Sequence, residues 1–344
     1  MRVKFFAFIA ATAIFLGIVG LAAADTNGVK TSKRQTSGLV ALLPASDGVA
    51  TFDAHRFLNA ALPQLLAKSP SLLSKLTSHL TDIETKTGID LRKFDSVVVG
   101  TTIAKSDAKK FTMDPVAIAR GTVKVSSLLA AAKLGAKGTV RQEKYGTHDV
   151  YVFSAKDAVK KAGTAAHAAI LGASLSSEEI AVSTIDENTV VIGSPARVRE
   201  TLEGTTHVSP EINSLLLGKE SSVMTFALKA PNGMSAFLPL ENDELGNSVD
   251  SIQYMSGNVD VTAAGAAVQV MARTAKAEQA KSLYDTLDGL KMLGKAFLGG
   301  SKRADQQIYA RLIENAKLGV KANVVSLDVL VPQADIDAML ATVK

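Results

Sequence analysis

The order in which hydrophobic periodicity changes along this chain limits its fold more than any single motif does. Apolar residues that alternate with polar ones read as strands, and apolar residues three and four apart read as one face of a helix. From Phe94 the pattern runs strand, strand, helix, strand, strand, and the second half of the chain presents that order again with different residues. In the first half, strands are expected over 96–103 and 116–123, then a helix over 126–134 that Gly135 and Gly138 stop. A hairpin over 139–153 turns at Tyr145-Gly146-Thr147, an Ala-rich helical segment covers 155–173, and a second hairpin over 180–192 turns at Asp186-Glu187-Asn188. Ser194-Pro195 then opens a helix that reaches Leu202.

The second half gives strands over 223–228, 252–261 and 267–272, then a helix over 275–297 with Leu283, Leu287, Leu290 and Phe297 on one face. A helix over 306–315, strands over 318–322 and 324–331, and a terminal helix opened by Pro332 complete it. Ala117-Ile118-Ala119-Arg120 aligns with Val270-Met271-Ala272-Arg273, and the strand at 149–153 with the one at 328–331. The predicted fold class is α+β: two related lobes, each an antiparallel sheet with helices packed on one face, meeting near 203–220. Two copies are too few for a solenoid. Ahead of them, 39–43 and 49–52 read as short strands about the turn formers Pro44, Asp47 and Gly48. Phe57, Leu58, Ala61, Leu62, Leu65 and Leu66 recur at helical spacing, and Ser69-Pro70 opens a second helix that ends at Gly88.

The N-terminal segment gives the address. Arg2 and Lys4, the apolar run over 5–21 and Ala22-Ala23-Ala24 before Asp25 form a secretory signal, so 1–24 is assigned as signal peptide and 25–37 as flexible linker. The lobes then cover 38–203 and 204–344. Export places the body in the periplasm or outside the cell; if the signal is not cut, the same run is long enough to serve as an N-terminal anchor. No other run is long and apolar enough to span a membrane. The chain has no cysteine, which excludes a thiolate nucleophile, a Cys-zinc or Fe–S site and a lipobox acyl acceptor. Its formal charge of +5 falls to +3 without Arg2 and Lys4, and the signs alternate along the chain. A nucleic-acid partner, which needs a clustered basic stripe, is therefore not expected.

Motifs for catalysis or cofactors fail on context. Gly289 to Lys295 matches G-x-x-x-x-G-K, but the next residue is Ala296, with no hydroxyl for magnesium, and the stretch lies inside a helical pattern. Ser106 to Lys109 and Lys86-Thr87-Gly88 hint at penicillin-recognising enzymes but stand in the wrong order, with no S-D-N between them. His55, His79, His148, His167 and His207 show no metal-ligand spacing. Glu241 to Gly246 resembles the start of a calcium loop, yet Leu245 and Ile252 occupy positions that would have to coordinate, so an acidic surface turn is expected. No cofactor or metal is assigned. More suggestive is the apolar, Gly- and Pro-interrupted stretch with Leu215-Leu216-Leu217, Met234, Phe237, Leu238 and Leu240. It reads as a lobe seam or as the lining of a groove for a lipid-like ligand or partner.

Several segments carry a resemblance. Leu42-Leu43-Pro44-Ala45-Ser46-Asp47-Gly48, Pro115 to Gly121, Glu143-Lys144-Tyr145 and Val191-Ile192-Gly193-Ser194-Pro195 resemble a group of uncharacterised exported bacterial proteins with an LPASD-type start and repeated sheet-helix units. The match covers about residues 38–203 and implies export and fold; it transfers no catalytic residue. The expectation is a non-enzymatic exported envelope protein that binds an apolar, lipid-like ligand or an envelope protein, with Met234, Phe237, Leu238 and Leu240 as ligand-binding candidates. The competing classes are an exported hydrolase with dispersed acid-base residues and a purely structural or stress-related envelope protein.

Overall fold

The computed structural model describes residues 38–87, 90–107, 110–122, 140–154, 177–216, 221–237, 243–300 and 303–342. The expected signal and linker, and the helices expected over 126–134 and 155–173, lie outside them. The fold is α+β with antiparallel sheets, as the periodicity predicts. The chain divides into two units, one of residues up to Ala60 with Ser74–Pro210, the other of Ala61–Leu73 with residues from Glu211 on. The helices in chain order are α1 (Ala54–Arg56), which runs into the π-helical Phe57–Ala61, α2 (Leu62–Leu65), α3 (Pro70–Thr87), α4 (Pro195–Glu203), α5 (Pro210–Leu215), α6 (Asp243–Asp250), α7 (Ala277–Gly299), α8 (Ala304–Asn315) and α9 (Gln333–Thr342).

In the first unit, β1 (Gly48–Asp53), β2 (Phe94–Asp107), β3 (Lys110–Gly121), β4 (Arg141–Tyr145), β5 (His148–Ser154), β6 (Glu179–Asp186) and β7 (Thr189–Gly193) lie in the order β1-β2-β3-β7-β6-β5-β4. One register row, Val98, Ile118, Val191, Ser183 and Val150, crosses five strands almost wholly shielded from water. Its only polar member, Ser183, donates to the Asp149 carbonyl at 2.8 Å, which removes the cost of burying the hydroxyl. Helix α4 packs on β3, β6 and β7 with Val198 fully buried.

What joins α4 to the start of the body is a buried charge. Ser194 caps α4 by accepting from the Arg197 amide, and the Arg197 side chain, 3% exposed, reaches back across the chain. Its Nη1 donates to the Ala45 carbonyl at 3.0 Å and to Glu200 at 2.5 Å, and its Nη2 donates to Ser46 Oγ at 2.8 Å. The next residue of that segment, Asp47, accepts from the Ile103 amide at 2.9 Å. Gly100 of β2 makes room for the segment, since a Cβ there would stand 2.5 Å from Ser46 Oγ. The LPASD-type start is thus a set of acceptors for one guanidinium. Glu143 pairs with Arg199 and Tyr145 donates to Glu203, so other residues that carry the resemblance also converge on α4.

The structure corrects the strand expected at 39–43. Residues 38–40 are helical and turn bonds run from the Leu42 amide to the Leu39 carbonyl and from the Leu43 amide to Val40. Leu39 and Leu43, four residues apart, are both fully buried, a spacing that suits a helical turn and not a pleat.

In the second unit, β8 (Ser222–Lys229), β9 (Ile252–Thr262), β10 (Gly265–Thr274), β11 (Lys317–Lys321) and β12 (Val324–Pro332) lie in the order β8-β9-β10-β12-β11. Ala272 and Val325 meet Ala280 and Leu283 of α7, with Ile252, Tyr284 and Leu287 packed around them. A row of the opposite parity is polar: Asn258 donates to Gln269 at 3.1 Å and Gln269 to Asp328 at 2.7 Å. Residues 61–73 belong to this unit because α9 holds them. Gln333 donates to the Leu65 carbonyl at 3.1 Å and Lys68 pairs with Asp337 at 3.1 Å. The hydrogen bond from Gln333, with Lys68 beside it, holds the Asp337 carboxyl below the ordinary range.

The connectivity β1-β2-β3-β7-β6 matches β8-β9-β10-β12-β11, with a helix after β1 and β7 in the first series and after β8 and β12 in the second. This corrects the alignment of 149–153 with 328–331. Strand β12 pairs with β10, and the strand that pairs with β3 in the first unit is β7, not β5. Pro332 closes β12 and does not open α9.

Two outcomes are expected. Arg197→Ala removes the bonds of the buried guanidinium to the Ala45 carbonyl and Ser46 Oγ, and should lower the unfolding free energy by about 2–3 kcal/mol in urea titration. Asp95 sits at a bulge of β2, where burial pushes its carboxyl up, His55 pulls it down and Asp53 pushes it up further. The folded state therefore holds that proton more tightly than the unfolded state, and stability is lost as pH rises through the raised pKa. Asp95→Asn should raise the urea midpoint at about pH 7 and flatten its fall as pH rises above about pH 4.

Candidate functional site

Helix α7 contains 23 residues and is about 34 Å long. Its first half follows the sheet. The Gln279 side chain accepts from the Lys276 amide at 3.1 Å at the start, and Ala280, Leu283, Tyr284 and Leu287 form the face turned to β10 and β12. Past Leu287 the helix rests on α8, where Ile313 packs against Gly294 and Lys295 pairs with Glu314 at 3.0 Å. Lys291 donates to the Ala316 carbonyl at the end of α8.

On its other side α7 meets α6 through hydroxyls. Ser248, buried, stands 3.3 Å from Ser282 Oγ and 3.4 Å from Thr286 Oγ1. Alongside this contact runs an open groove of about 600 Å³, to which α6 contributes Leu245. Its lining changes along α7, from Glu278, Lys281 and Asp285 at one end, through Ser282 and Thr286, to Gly289, Leu290 and Leu293 at the other. Lys281 and Asp285 pair at 2.9 Å. A Cβ on Gly289 would meet nothing within 4 Å, so the missing side chain leaves the groove floor open at its apolar end.

The apolar face expected on α7 is buried in its first half only. Leu290 and Phe297, which share that face with Leu283 and Leu287, are 40% and 82% exposed. Met292 and Leu293 beside them are 64% and 57% exposed. The sheet ends before the helix does, so a stripe with the right spacing has nothing to pack against in its last turns. The run Met292-Leu293, out of phase with Leu283 and Leu287, was the sequence signal for this second apolar face.

Of the ligand-binding candidates, Met234 and Phe237 fall in a short 3-10 helix, Met234–Phe237, packed on α6. Asp250 secures that turn by accepting from the Ser235 amide at 2.8 Å and from Ser235 Oγ at 2.6 Å. Neither Met234 nor Phe237 lines the groove, although the helix they support does. Leu238 and Leu240 lie outside the described residues. The acidic turn expected over 241–246 is corrected in part, because Asp243–Asp250 is helical. The G-x-x-x-x-G-K stretch lies within α7, as its context required. His148 Nδ1 stands 2.9 Å from the Thr184 carbonyl, a contact between the neighbouring strands β5 and β6. Among the described residues no group of three or more His, Asp or Glu side chains is placed to hold a metal, and no helix is long and apolar enough to cross a membrane.

Gly289→Ala should raise stability by about 0.5–1 kcal/mol in thermal or urea unfolding, since it removes backbone entropy from a helix interior and its methyl meets open space.

No protein-family model matches the chain, and no curated protein matches it. Among solved structures, crystal form III of TP0453 is similar at 9% identity over 88% of this chain and 98% of its own, with a TM-score of 0.44. Crystal form I of the same protein gives 11% identity, 88% and 96% coverage and a TM-score of 0.42. Crystal form IV gives 10% identity, 88% and 96% coverage and a TM-score of 0.45. Likeness at this level carries nothing about ligand or activity.

Proposed function

We propose that this chain is an exported, non-enzymatic envelope protein that binds an apolar, lipid-like ligand in the groove between α6 and α7. One observation carries the reading: the groove grades from charged side chains to Gly289, Leu290 and Leu293 along a single helix. A single-chain amphiphile has the same gradient, with its head beside Ser282 and Thr286 and its chain along the leucines. Burying about ten methylenes is worth about 8 kcal/mol, which sets a ceiling near the micromolar range that the costs of association lower further. The expected signal at 1–24 and the resemblance to exported proteins with an LPASD-type start support delivery to the envelope, where such ligands occur.

Native mass spectrometry of the protein purified from its host envelope tests this. The expected result is a mature mass that begins at Asp25 and carries a reproducible lipid-sized addition. Gly289→Leu, which fills the groove without a backbone clash, should remove the addition and weaken rebinding at least about 10-fold while the protein stays folded. A clean unliganded mass for the native protein, or an addition that Gly289→Leu leaves in place, overturns the proposal.

A further inference from the structure

We infer, in a step that rests on the groove being the ligand site, that the head of its ligand is an ammonium group with N–H donors and not a bare carboxylate. Three hydroxyls meet at the polar end, and each has one proton to give. Thr286 Oγ1 donates to the Ser282 carbonyl at 2.8 Å, so in its 3.4 Å contact with Ser248 it accepts. That contact takes the proton of Ser248, and in the 3.3 Å contact between Ser248 and Ser282 the donor is therefore Ser282. All three protons are committed within the protein. Ser282 and Thr286, which line the groove, leave only lone pairs for a ligand. A head that donates hydrogen bonds is received here, and a head that needs donors finds none among these hydroxyls.

Charge on the same helix face agrees. The lining holds two carboxylates, Glu278 and Asp285, against one ammonium, Lys281, which Asp285 already pairs at 2.9 Å. Glu278 makes no ion pair among the described residues. It stands four residues before Ser282 and Asp285 three residues after it, so a carboxylate flanks that hydroxyl on each side along the helix. The lysines further along α7 are engaged by α8, Lys291 at the Ala316 carbonyl and Lys295 at Glu314. A helix start attracts anions in its first turn, but in α7 Glu278 occupies that turn and Ser282 lies beyond it. A primary ammonium has three N–H donors and a positive charge, so it meets the lone pairs of Ser282 and Thr286 and the two carboxylates together. A quaternary ammonium meets the charge and not the lone pairs, and a carboxylate meets neither.

Dodecylammonium, dodecyltrimethylammonium and dodecanoate share a chain and differ in the head. Their binding as monomers to the full chain, stripped of lipid, is measured by isothermal titration calorimetry at about pH 7, where all three are charged. Dodecylammonium should bind at least about fivefold more tightly than dodecyltrimethylammonium, and about 25-fold more tightly than dodecanoate, at about fivefold for the attraction and again for the repulsion. Added salt should narrow the second ratio. Glu278→Gln should weaken dodecylammonium about fivefold and strengthen dodecanoate by as much. With Asp285→Asn added, Lys281 is the only charge left in the lining, and the preference for dodecylammonium over dodecanoate should vanish. Gly289→Leu, at the apolar end, should weaken all three alike. Dodecyltrimethylammonium or dodecanoate binding as tightly as dodecylammonium, with the Gly289→Leu loss still present, overturns the head-group inference and leaves the groove reading standing. Binding of none of the three, or binding that Gly289→Leu leaves unchanged, overturns the groove reading and this inference with it.

Discussion

A guanidinium taken out of water is tolerated only where acceptors meet it, and Arg197 imposes that condition on much of the first unit. Its acceptors are the Ala45 carbonyl and Ser46 Oγ, on a segment about 150 residues earlier in the chain, and Glu200 on its own helix. Nε finds no acceptor among the described residues, so the remaining bonds must hold the charge in place. That requirement fixes where the 39–47 segment lies, and Asp47 passes the constraint to β2 through the Ile103 amide. Gly100, with no side chain, is the matching concession in the strand beneath. A hydrophobic contact of the same area would have stabilised the unit without specifying position to this degree; directional hydrogen bonds to a buried charge do both.

The parts of this fold that were legible in the sequence are those set by neighbours in the chain. The hairpin turns at Gly146 and at Glu187-Asn188, the Ser194 cap and the helical phase of Leu283 and Leu287 are local, and the structure has them where the residues indicate. The illegible parts depend on distant partners. Leu39 and Leu43 read as a strand because a short apolar run has no clear period, and only burial against the rest of the unit selects the helical turn. Strand β5 has the better pattern match to β12, but pairing decides equivalence, and β7 has the corresponding place beside β3. The groove was legible only in part. Met234 and Phe237 mark the segment that supports α6, whereas the lining comes from α7, whose apolar residues read as core while nothing in the sequence says where the sheet stops.

The two strand series share a connectivity and differ in the elements inserted after the third strand. Among the described residues, the first unit has the hairpin β4–β5 between β3 and β6, and the second has α7 and α8 between β10 and β11. A hairpin added to a sheet exposes a new edge, and this one is laced with charge: Arg141 bridges Glu143 and Glu179, and Glu143 also holds Arg199. Such an edge resists further pairing. A helix laid on a sheet has the opposite consequence, because it covers the face only as far as the sheet extends. Beyond Leu287 its unsatisfied apolar side must face α6, solvent or another phase. The same excess of helix over sheet therefore creates both the leucine-lined end of the groove and the exposed Met292 and Phe297 beyond it. The last turns of α7 are kept in place from the opposite side, where Gly294 packs against Ile313 and Lys295 pairs with Glu314, so α8 supports the helix beyond the sheet while its other side stays exposed.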